Sequence, residues 1–271
     1  MVVQKIGRPR LLCLTNQKGG VGKTTTTINL GAALAEMGRR VLILDLDPQG
    51  NASTGLGVAR ARRQVTSQDV LLDPTAFASA IIPTQTANLS LVPATPDLSS
   101  IDLELATVPG RTRRLRSALA HGDVGRFDYI LMDCPPALNL LTVNALVAAD
   151  GVLVPLQCEF FALEGISQLL RTIAEVRESS NSGLITQGIV LTMYDRRNRL
   201  TSDVEADVRE TLGKLVYQTV IPRNVRLSEA PSHGIPALQY DSLSSGSRAY
   251  RALAQEFTAR MAPKPSPEPA A

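Results

Sequence analysis

The sequence has few of the residues on which several classes of functional site depend. Its 271 residues include three cysteines, two histidines and no tryptophan, and aromatic residues make up 4%. No two cysteines form a CxxC pair, which argues against a zinc site or an iron–sulfur cluster held by one chain. Two histidines exclude most metal chemistry with histidine ligands, and the few aromatics argue against a stacking platform for single-stranded nucleic acid.

Long hydrophobic runs are also missing, since no apolar run approaches the roughly 18 residues that a membrane-spanning helix needs. The basic N-terminal segment leads only into the short run 11–14, which is too short for the core of a signal peptide. These absences predict a cytoplasmic protein without a membrane partner. Hydrophobic residues at 44% suffice for a sizeable core, and a net charge of +3 permits nucleic-acid binding without indicating it.

Short apolar runs alternate with helical patterns along the chain. Continuous apolar runs are typical of strands that are buried on both faces of a parallel sheet. The runs are residues 11–14, 41–44, 89–92, 129–132, 152–156, 188–191 and 216–221. Helical spacing marks residues 24–37, with Gly38 as the expected cap, and residues 166–176. The alternation predicts an α/β fold with a doubly wound, mainly parallel sheet flanked by helices.

One domain with two flanking segments is the expected organisation. Residues 10–260 are predicted to form the domain, and residues 1–9 an N-terminal extension. Residues 261–271 are predicted to be a disordered, proline-rich tail, because alternating prolines forbid a helix. Residues 60–96 are the least regular part of the domain, where short helices and a surface connection are expected.

The most specific motif follows the first predicted strand and reads Lys18-Gly19-Gly20-Val21-Gly22-Lys23-Thr24-Thr25. Glycines let consecutive backbone N–H groups turn toward an anion, and the N-terminus of the following helix adds positive potential. Lys23 is predicted to reach the β- and γ-phosphates of a nucleotide, and the Thr24 hydroxyl to bind Mg²⁺. The usual G-x-x-x-x-G-K-[ST] spacing fails, because position 17 is glutamine and a second lysine, Lys18, stands at the loop entrance. This is the deviant Walker A pattern of a P-loop NTPase.

Two aspartates near strand ends are the candidates for the magnesium site. Asp133 ends the apolar run 129–132 and suits the Walker B role, in which a carboxylate holds Mg²⁺ through water. Asp47 follows the second run on a loop with proline and glycine, where a carboxylate near the γ-phosphate and the metal orients attacking water. Either residue could instead cap a helix or form a turn, but the neighbouring phosphate loop favours the catalytic interpretation.

These motifs, in this order, resemble the ParA/Soj branch of the ParA–MinD ATPases. KGGVGKTT at 18–25, DLDPQGN at 45–51, DYILMDCPP at 128–136 and IPRNVRLSEAPSHGIP at 221–236 carry the resemblance, which covers about residues 10–257. The last motif is the most specific, because it is typical of chromosome-partitioning proteins and not of P-loop proteins in general.

The resemblance implies an ATPase that uses ATP and Mg²⁺ with weak intrinsic turnover and sandwiches two nucleotides in a homodimer. Lys18 would then contact the nucleotide of the partner protomer, and Asp47 would be needed for hydrolysis. Pro222 and Asn224 would lie near the adenine. The family also implies a ParB/Spo0J-like partner, bound at its own DNA sites, that stimulates hydrolysis, and a nucleoid-associated location.

The family's ATP dimer binds double-stranded DNA without sequence preference. The arginines expected to contribute are Arg196, Arg197, Arg199, Arg223, Arg226 and Arg248. Each of them could instead simply solvate a loop. No helix-turn-helix extension is recognisable, so sequence-specific operator binding is not expected.

Three alternatives stand beside this interpretation. A MinD-like membrane-associated positioning ATPase needs a C-terminal amphipathic helix, which the APKPSPEPAA sequence at 262–271 cannot form. A nitrogenase iron-protein type shares the two-lysine loop but bridges a cluster with cysteines, and the contexts of Cys134 and Cys158 do not match it. A nucleotide-locked scaffold with little turnover is disfavoured by the intact set of lysines and aspartates.

Overall fold

A seven-stranded sheet forms the centre of the protein in a computed structural model that describes residues 8–261. The strands are β1 (Arg10–Leu14), β2 (Val41–Asp45), β3 (Ile82–Pro83), β4 (Leu89–Val92), β5 (Tyr129–Asp133), β6 (Gly151–Gln157) and β7 (Ile185–Thr192). They lie in the order β3-β4-β2-β5-β1-β6-β7, and every neighbouring pair is parallel except β3 with β4. The prediction of an α/β fold with a mainly parallel sheet is confirmed.

Helices cover both faces of the sheet. Within residues 8–261 they are α1 (Lys23–Glu36), α2 (Asn51–Gly55), α3 (Ser67–Leu72), α4 (Ile101–Glu104), α5 (Arg114–His121), α6 (Leu140–Ala148), α7 (Ala162–Ser179), α8 (Arg199–Leu212), α9 (Val225–Glu229), α10 (Ala237–Tyr240) and α11 (Ser245–Met261). Two apolar cores result, and alternate residues of each strand enter them: Leu11 and Cys13 of β1 join one core, Leu12 and Leu14 the other. Burial on both faces explains why the strand sequences are apolar without alternation.

Six of the seven predicted runs lie in strands, and the seventh prediction, 216–221, is wrong. That segment contains one isolated bridge, Val216 with Ile189, and a second, Pro222 with Tyr194, follows directly after it. Between them, the backbone N–H groups of Gln218 and Thr219 donate to the carboxylate of Glu256 at 2.8 and 2.9 Å instead of to a strand. The antiparallel edge strand β3 was not predicted, because two residues, one of them proline, carry no strand pattern.

The first long helix, α1, begins at the candidate site and ends next to Gly38, the residue predicted to cap it. It ends at Glu36, and Gly38 takes a left-handed φ of 78° just beyond Met37. The Gly38 N–H donates to the Ala35 carbonyl at 3.0 Å and the Arg39 N–H to the Leu34 carbonyl at 3.1 Å. This pair of bonds is a Schellman motif, which satisfies the last carbonyls of the helix.

The predicted flanking segments fall largely outside the described residues. Of the extension 1–9 only Arg8 and Pro9 are described, and of the tail 261–271 only Met261, which is the last residue of α11. Residues 60–96 contain α3, short 3₁₀ turns and the two strands β3 and β4. Between residues 8 and 261, no helix combines the length and apolarity needed to cross a membrane.

Candidate nucleotide-binding site

The phosphate loop connects β1 to α1 at the carboxyl edge of the sheet. Gly20 and Gly22 have φ of 75° and 87°, a left-handed backbone that glycine adopts without strain. Gly22 is the N-cap of α1, and no side chain caps this end of the helix. The free N–H groups of the first turn therefore face the loop, which is the geometry in which a phosphate binds at a helix N-terminus.

A cavity of about 590 Å³ opens beside this loop. The predicted residues that line it are Gly19, Gly20, Gly22, Lys23, Thr24, Thr25 and Asp47. Val21 is instead buried beneath the loop, where its carbonyl accepts a hydrogen bond from the Thr192 hydroxyl at 2.8 Å. The fold thus brings most of the predicted phosphate-loop residues and Asp47 around one space.

Lys23 lies at the base of the cavity. Its Nζ donates to the carbonyl of Lys18 at 3.0 Å, so the side chain folds back across the loop. Burial lowers the pKa of Lys23, and the nearby charges of Asp133 and Asp47 oppose that shift. A triphosphate in the cavity would supply the anionic partner that this buried ammonium group otherwise finds only in the two carboxylates.

Lys18 points elsewhere. Its side chain is about half exposed and forms an ion pair with Glu159, which follows β6. The backbone N–H of Lys18 donates to the Asn16 side chain at 3.0 Å, which shapes the entrance of the loop. The two lysines of the motif therefore lie in different environments, one inside the cavity and one on the surface of the protein.

Asp133 ends β5 and is fully buried. One carboxylate oxygen accepts a hydrogen bond from the Thr27 hydroxyl at 3.0 Å, and the other, Oδ2, has no hydrogen-bond partner in the described part of the chain. Burial, reinforced by the charge of Asp45, raises the pKa of Asp133 to about 8. A buried carboxylate with a free oxygen is an unfavourable group until a cation or a cation-bound water contacts it.

Asp45 is a residue of this site to which the sequence did not assign a role. It ends β2 directly opposite Asp133 in the strand register, and burial raises its pKa to about 6. Its Oδ2 accepts hydrogen bonds from the Ser53 N–H and hydroxyl at 2.8 and 2.6 Å, and its Oδ1 accepts from the Asp47 N–H at 3.3 Å. Asp45 therefore positions the loop that carries Asp47. The D-x-D spacing was the signal that could have indicated it.

Asp47 lines the cavity from a tight turn. Its Oδ1 accepts the Gln49 N–H at 3.0 Å, and its carbonyl accepts the Gly50 N–H at 2.8 Å. Gly50 has a φ of 62°, and a Cβ there would meet the Arg63 side chain at 2.6 Å. The turn thus requires glycine, and it holds the Asp47 carboxylate at the mouth of the site.

The oxygen groups around the cavity fit a magnesium ion. Mg²⁺ prefers carboxylate and hydroxyl oxygens and retains several waters. The Thr24 hydroxyl, the Asp47 carboxylate and the unpartnered Oδ2 of Asp133 supply such oxygens.

A second cavity of about 390 Å³ continues from the first along Gly22 and Thr25. Pro222 and Asn224 both line it, and their place near an adenine stays a prediction. Asn224 is held in place, since its Nδ2 donates to the Ser245 hydroxyl at 2.7 Å. Met193 lines both cavities with a left-handed φ of 51°, a strained position that no sequence pattern indicated.

Comparison with known proteins places this site in a family. A family model described as AAA domain matches residues 9–186. The chain is 56% identical over 252 residues to the chromosome partitioning protein ParA of Caulobacter vibrioides strain NA1000, covering 93% of this chain and 94% of that protein. It is 48% identical over 250 residues to the sporulation initiation inhibitor protein Soj of Bacillus subtilis, covering 92% and 98%. The chain belongs to the ParA/Soj family of chromosome-partitioning ATPases.

A solved structure shares the ParA/Soj fold of this chain. The cobyrinic acid a,c-diamide synthase of Mycobacterium smegmatis, with bound ADP and magnesium, superimposes with a TM-score of 0.79 at 40% identity and covers 91% of this chain and 93% of that one. Its name describes an amide-forming enzyme, but its identity to this chain is lower than that of the two partitioning relatives. The ParA/Soj assignment makes this chain an ATPase.

The six predicted DNA-binding arginines of this ParA/Soj chain differ in their surroundings. Three form ion pairs within the chain: Arg197 with Asp195, Arg199 with Asp203, and Arg226 with Glu229 and Asp241. The other three have no acidic partner within 4.0 Å in the described part of the chain: Arg196, Arg223 and Arg248. Arg223 also lines the second cavity, beside Pro222.

The buried carboxylates predict a pH dependence of stability. In the unfolded chain both ionise near pH 3.8, whereas the folded pKa values of Asp45 and Asp133 are about 6 and about 8. Between these limits the folded state binds more protons than the unfolded state, so the free energy of unfolding falls as pH rises toward 8. Urea unfolding of the nucleotide-free protein without Mg²⁺ is expected to show this fall, and Asp133→Asn to flatten it. An exposed carboxylate, Asp123→Asn, is the control; equal slopes in all three proteins would contradict the prediction.

Proposed function

We propose that this chain is a DNA-segregation ATPase whose two protomers close around ATP and Mg²⁺ into a sandwich dimer. The observation that carries the proposal is the different placement of the two lysines in one loop. Lys23 lines the phosphate cavity, whereas Lys18 lies outside it and is held only by an exposed ion pair. Exposed ion pairs contribute little stability, so Lys18 can leave Glu159 at small cost and contact the nucleotide of a second protomer.

Each protomer would bind one ATP with residues of its own chain. The backbone N–H groups of the phosphate loop and Lys23 hold the phosphates, and the cavity that Pro222 and Asn224 line takes the adenine. Thr24, Asp47 and Asp133 would hold Mg²⁺, which when bound neutralises charge on the phosphate oxygens. Because its pKa is about 8 without the metal, Asp133 would have to release a proton to hold Mg²⁺.

Hydrolysis needs an oriented water and a counter-charge. The Asp47 carboxylate, fixed by its turn at the mouth of the cavity, would accept a hydrogen bond from the attacking water. The ammonium group of Lys18 from the second protomer would stabilise the charge that develops during phosphoryl transfer, in the manner of an arginine finger. The active site is therefore complete only in the dimer, which makes intrinsic turnover weak.

Dimerisation would control DNA binding by doubling the contacts. With about three arginine–phosphate contacts per protomer and about six per dimer, affinity would fall roughly 10³-fold between 50 and 200 mM salt for the dimer. The monomer would have about half that salt dependence and much weaker binding. A ParB/Spo0J-like protein bound at its own DNA sites would then stimulate hydrolysis and release the dimer from the nucleoid.

The proposal is tested by binding to a random-sequence DNA duplex across a salt series, with no nucleotide, with ADP and with ATP–Mg²⁺. Asp47→Ala holds the ATP state, because it removes the group that orients the water. We expect ATP–Mg²⁺ to raise affinity by about 10²-fold or more and to double the salt slope, most clearly in this variant. The exposed Asp102→Ala is the matched control. ATP turnover without any nucleotide effect on DNA affinity would contradict the proposal.

A further inference from the structure

Arginines gather at the amino edge of the sheet, on the side opposite to the phosphate loop. We call them the amino-edge surface: Arg8, Arg10, Arg39, Arg116 and Arg126. Arg10 begins β1, Arg39 precedes β2 by two residues, and Arg126 precedes β5 by three. Because the nucleotide site lies at the carboxyl ends of the same strands, the ATPase reaction makes no use of this surface.

A cavity of about 450 Å³ opens in this surface, and Arg8, Arg10 and Arg116 line it together with the polar loop 180–183. Asp150 is the one acidic residue in its described lining. That carboxylate is already occupied, since it accepts a hydrogen bond from Arg8 Nη2 at 2.6 Å and another from the Leu11 N–H at 3.0 Å. The cavity therefore keeps the positive charge of Arg10 and Arg116.

The positive charge extends beyond the cavity. Burial raises the pKa of Tyr129, the charges of Arg39 and Arg10 oppose the shift and that of Asp128 adds to it, so two guanidinium groups and one carboxylate, which Arg40 already holds, lie near one hydroxyl. Arg126 is exposed, and its guanidinium carbon lies 5.0 Å from the centre of the Phe127 ring. Within residues 8–261, Arg8 is the only member of the amino-edge surface with an acidic partner within 4.0 Å.

Helix stability does not account for this arrangement. A cation just after a helix interacts favourably with the helix dipole, and this accounts for the position of Arg39 beyond the end of α1. Arg116, however, lies in the first turn of α5, where a positive charge opposes the dipole. Arg10 begins a strand, where no helix dipole acts on it.

We propose that the amino-edge surface binds the phosphate backbone of duplex DNA, independently of nucleotide. Arginine holds phosphate with a planar fork of donors. From β2 to β6 the surface crosses three strand spacings, roughly 15 Å, or about four base-pair rises along a duplex. That span suits a polyanion better than a single phosphate ion. The choice of DNA as the partner rests on the proposed function.

The proposed sandwich dimer gives this surface a role. In that dimer the carboxyl edges of the two sheets would face each other, so the two amino-edge surfaces would point outward at opposite ends. A dimer held on one duplex by its ATP-dependent arginines can then hold another duplex at each end. The proposal therefore predicts bridging of separate DNA molecules, in which a bead-bound duplex captures a free fluorescent duplex only when the protein is present.

The test compares two variants of equal charge loss, by duplex binding without nucleotide and by bridging with ATP–Mg²⁺. Arg10→Ala/Arg39→Ala/Arg116→Ala is expected to lower the nucleotide-free salt slope of duplex binding by about 2.7 and to abolish bridging in the presence of ATP–Mg²⁺. Arg60→Ala/Arg62→Ala/Arg171→Ala removes three exposed arginines from other surfaces and is expected to change the slope little. Replacing the first three by lysine should restore most of the binding, which excludes a loss of folding as the cause.

The outcomes separate this inference from the proposed function. Equal losses in the two alanine variants, or no loss in the first, would overturn the amino-edge proposal. Binding to phosphatidylglycerol vesicles that the first variant loses, with DNA binding intact, would overturn it as well and assign the surface to a membrane. If instead ATP fails to raise DNA affinity while the first variant still loses the nucleotide-free duplex binding, the sandwich mechanism fails and the amino-edge surface stands.

Discussion

Lys18→Ala is expected to lower the rate of ATP hydrolysis by roughly 10³-fold or more while the protein still binds ATP. The reason is that Lys18 does not line the cavity of its own protomer, so its loss leaves the local phosphate contacts of Lys23 and the loop intact. The substitution removes the positive charge that the second protomer would bring close to the transferred phosphoryl group. Such a charge accelerates hydrolysis by about 10³–10⁵-fold in arginine-finger enzymes. The measurements are phosphate release, binding of a fluorescent ATP analogue, and dimerisation by analytical ultracentrifugation.

The controls for this prediction separate charge from position. Lys214→Ala removes an exposed lysine elsewhere and is expected to change none of the three measurements. Lys18→Arg keeps the charge and is expected to retain part of the hydrolysis. Glu159→Gln frees Lys18 without altering the cavity, so dimerisation with ATP should not weaken. Loss of ATP binding together with hydrolysis in Lys18→Ala would show that Lys18 serves its own nucleotide and would contradict the sandwich.

Arg196→Ala/Arg248→Ala is expected to abolish ATP-dependent DNA binding with ATP binding unchanged. Neither arginine has an acidic partner in the described part of the chain or lines either nucleotide cavity. A dimer would lose about four phosphate contacts, which lowers the salt slope by about 3.6 and the affinity at low salt by roughly 10²-fold. The measurement is the DNA salt series in the Asp47→Ala background, where turnover cannot release the dimer.

Two further variants test the reasoning behind this choice of residues. Arg197→Ala removes an arginine that Asp195 already holds at 2.9 Å, so it is expected to reduce the slope less than either Arg196→Ala or Arg248→Ala alone. Arg60→Ala/Arg62→Ala removes two exposed arginines and should leave ATP-dependent binding unchanged. A loss from the Arg197 variant equal to that from the Arg196 variant would mean that ion pairing does not decide which arginines reach DNA.

Local patterns predicted much of the fold. Six strands follow from uninterrupted apolar runs, because burial on both faces leaves no polar position in a central strand. The run 216–221 failed because Gln218 and Thr219 interrupt it, and their N–H groups find the distant carboxylate of Glu256. The edge strand β3 is set by its pairing with β4, since its own two residues contain no periodic signal.

The sequence by itself determined the phosphate loop, because its glycines, its lysines and the helix that follows are neighbours along the chain. Only the tertiary structure decided what surrounds that loop. The strand order β2-β5-β1 places Asp45 against Asp133, and their mutual burial raises both pKa values. The return of β6 beside β1 brings Glu159 to Lys18. These contacts join residues about ninety and one hundred and forty positions apart, and no local spacing encodes which strands become neighbours.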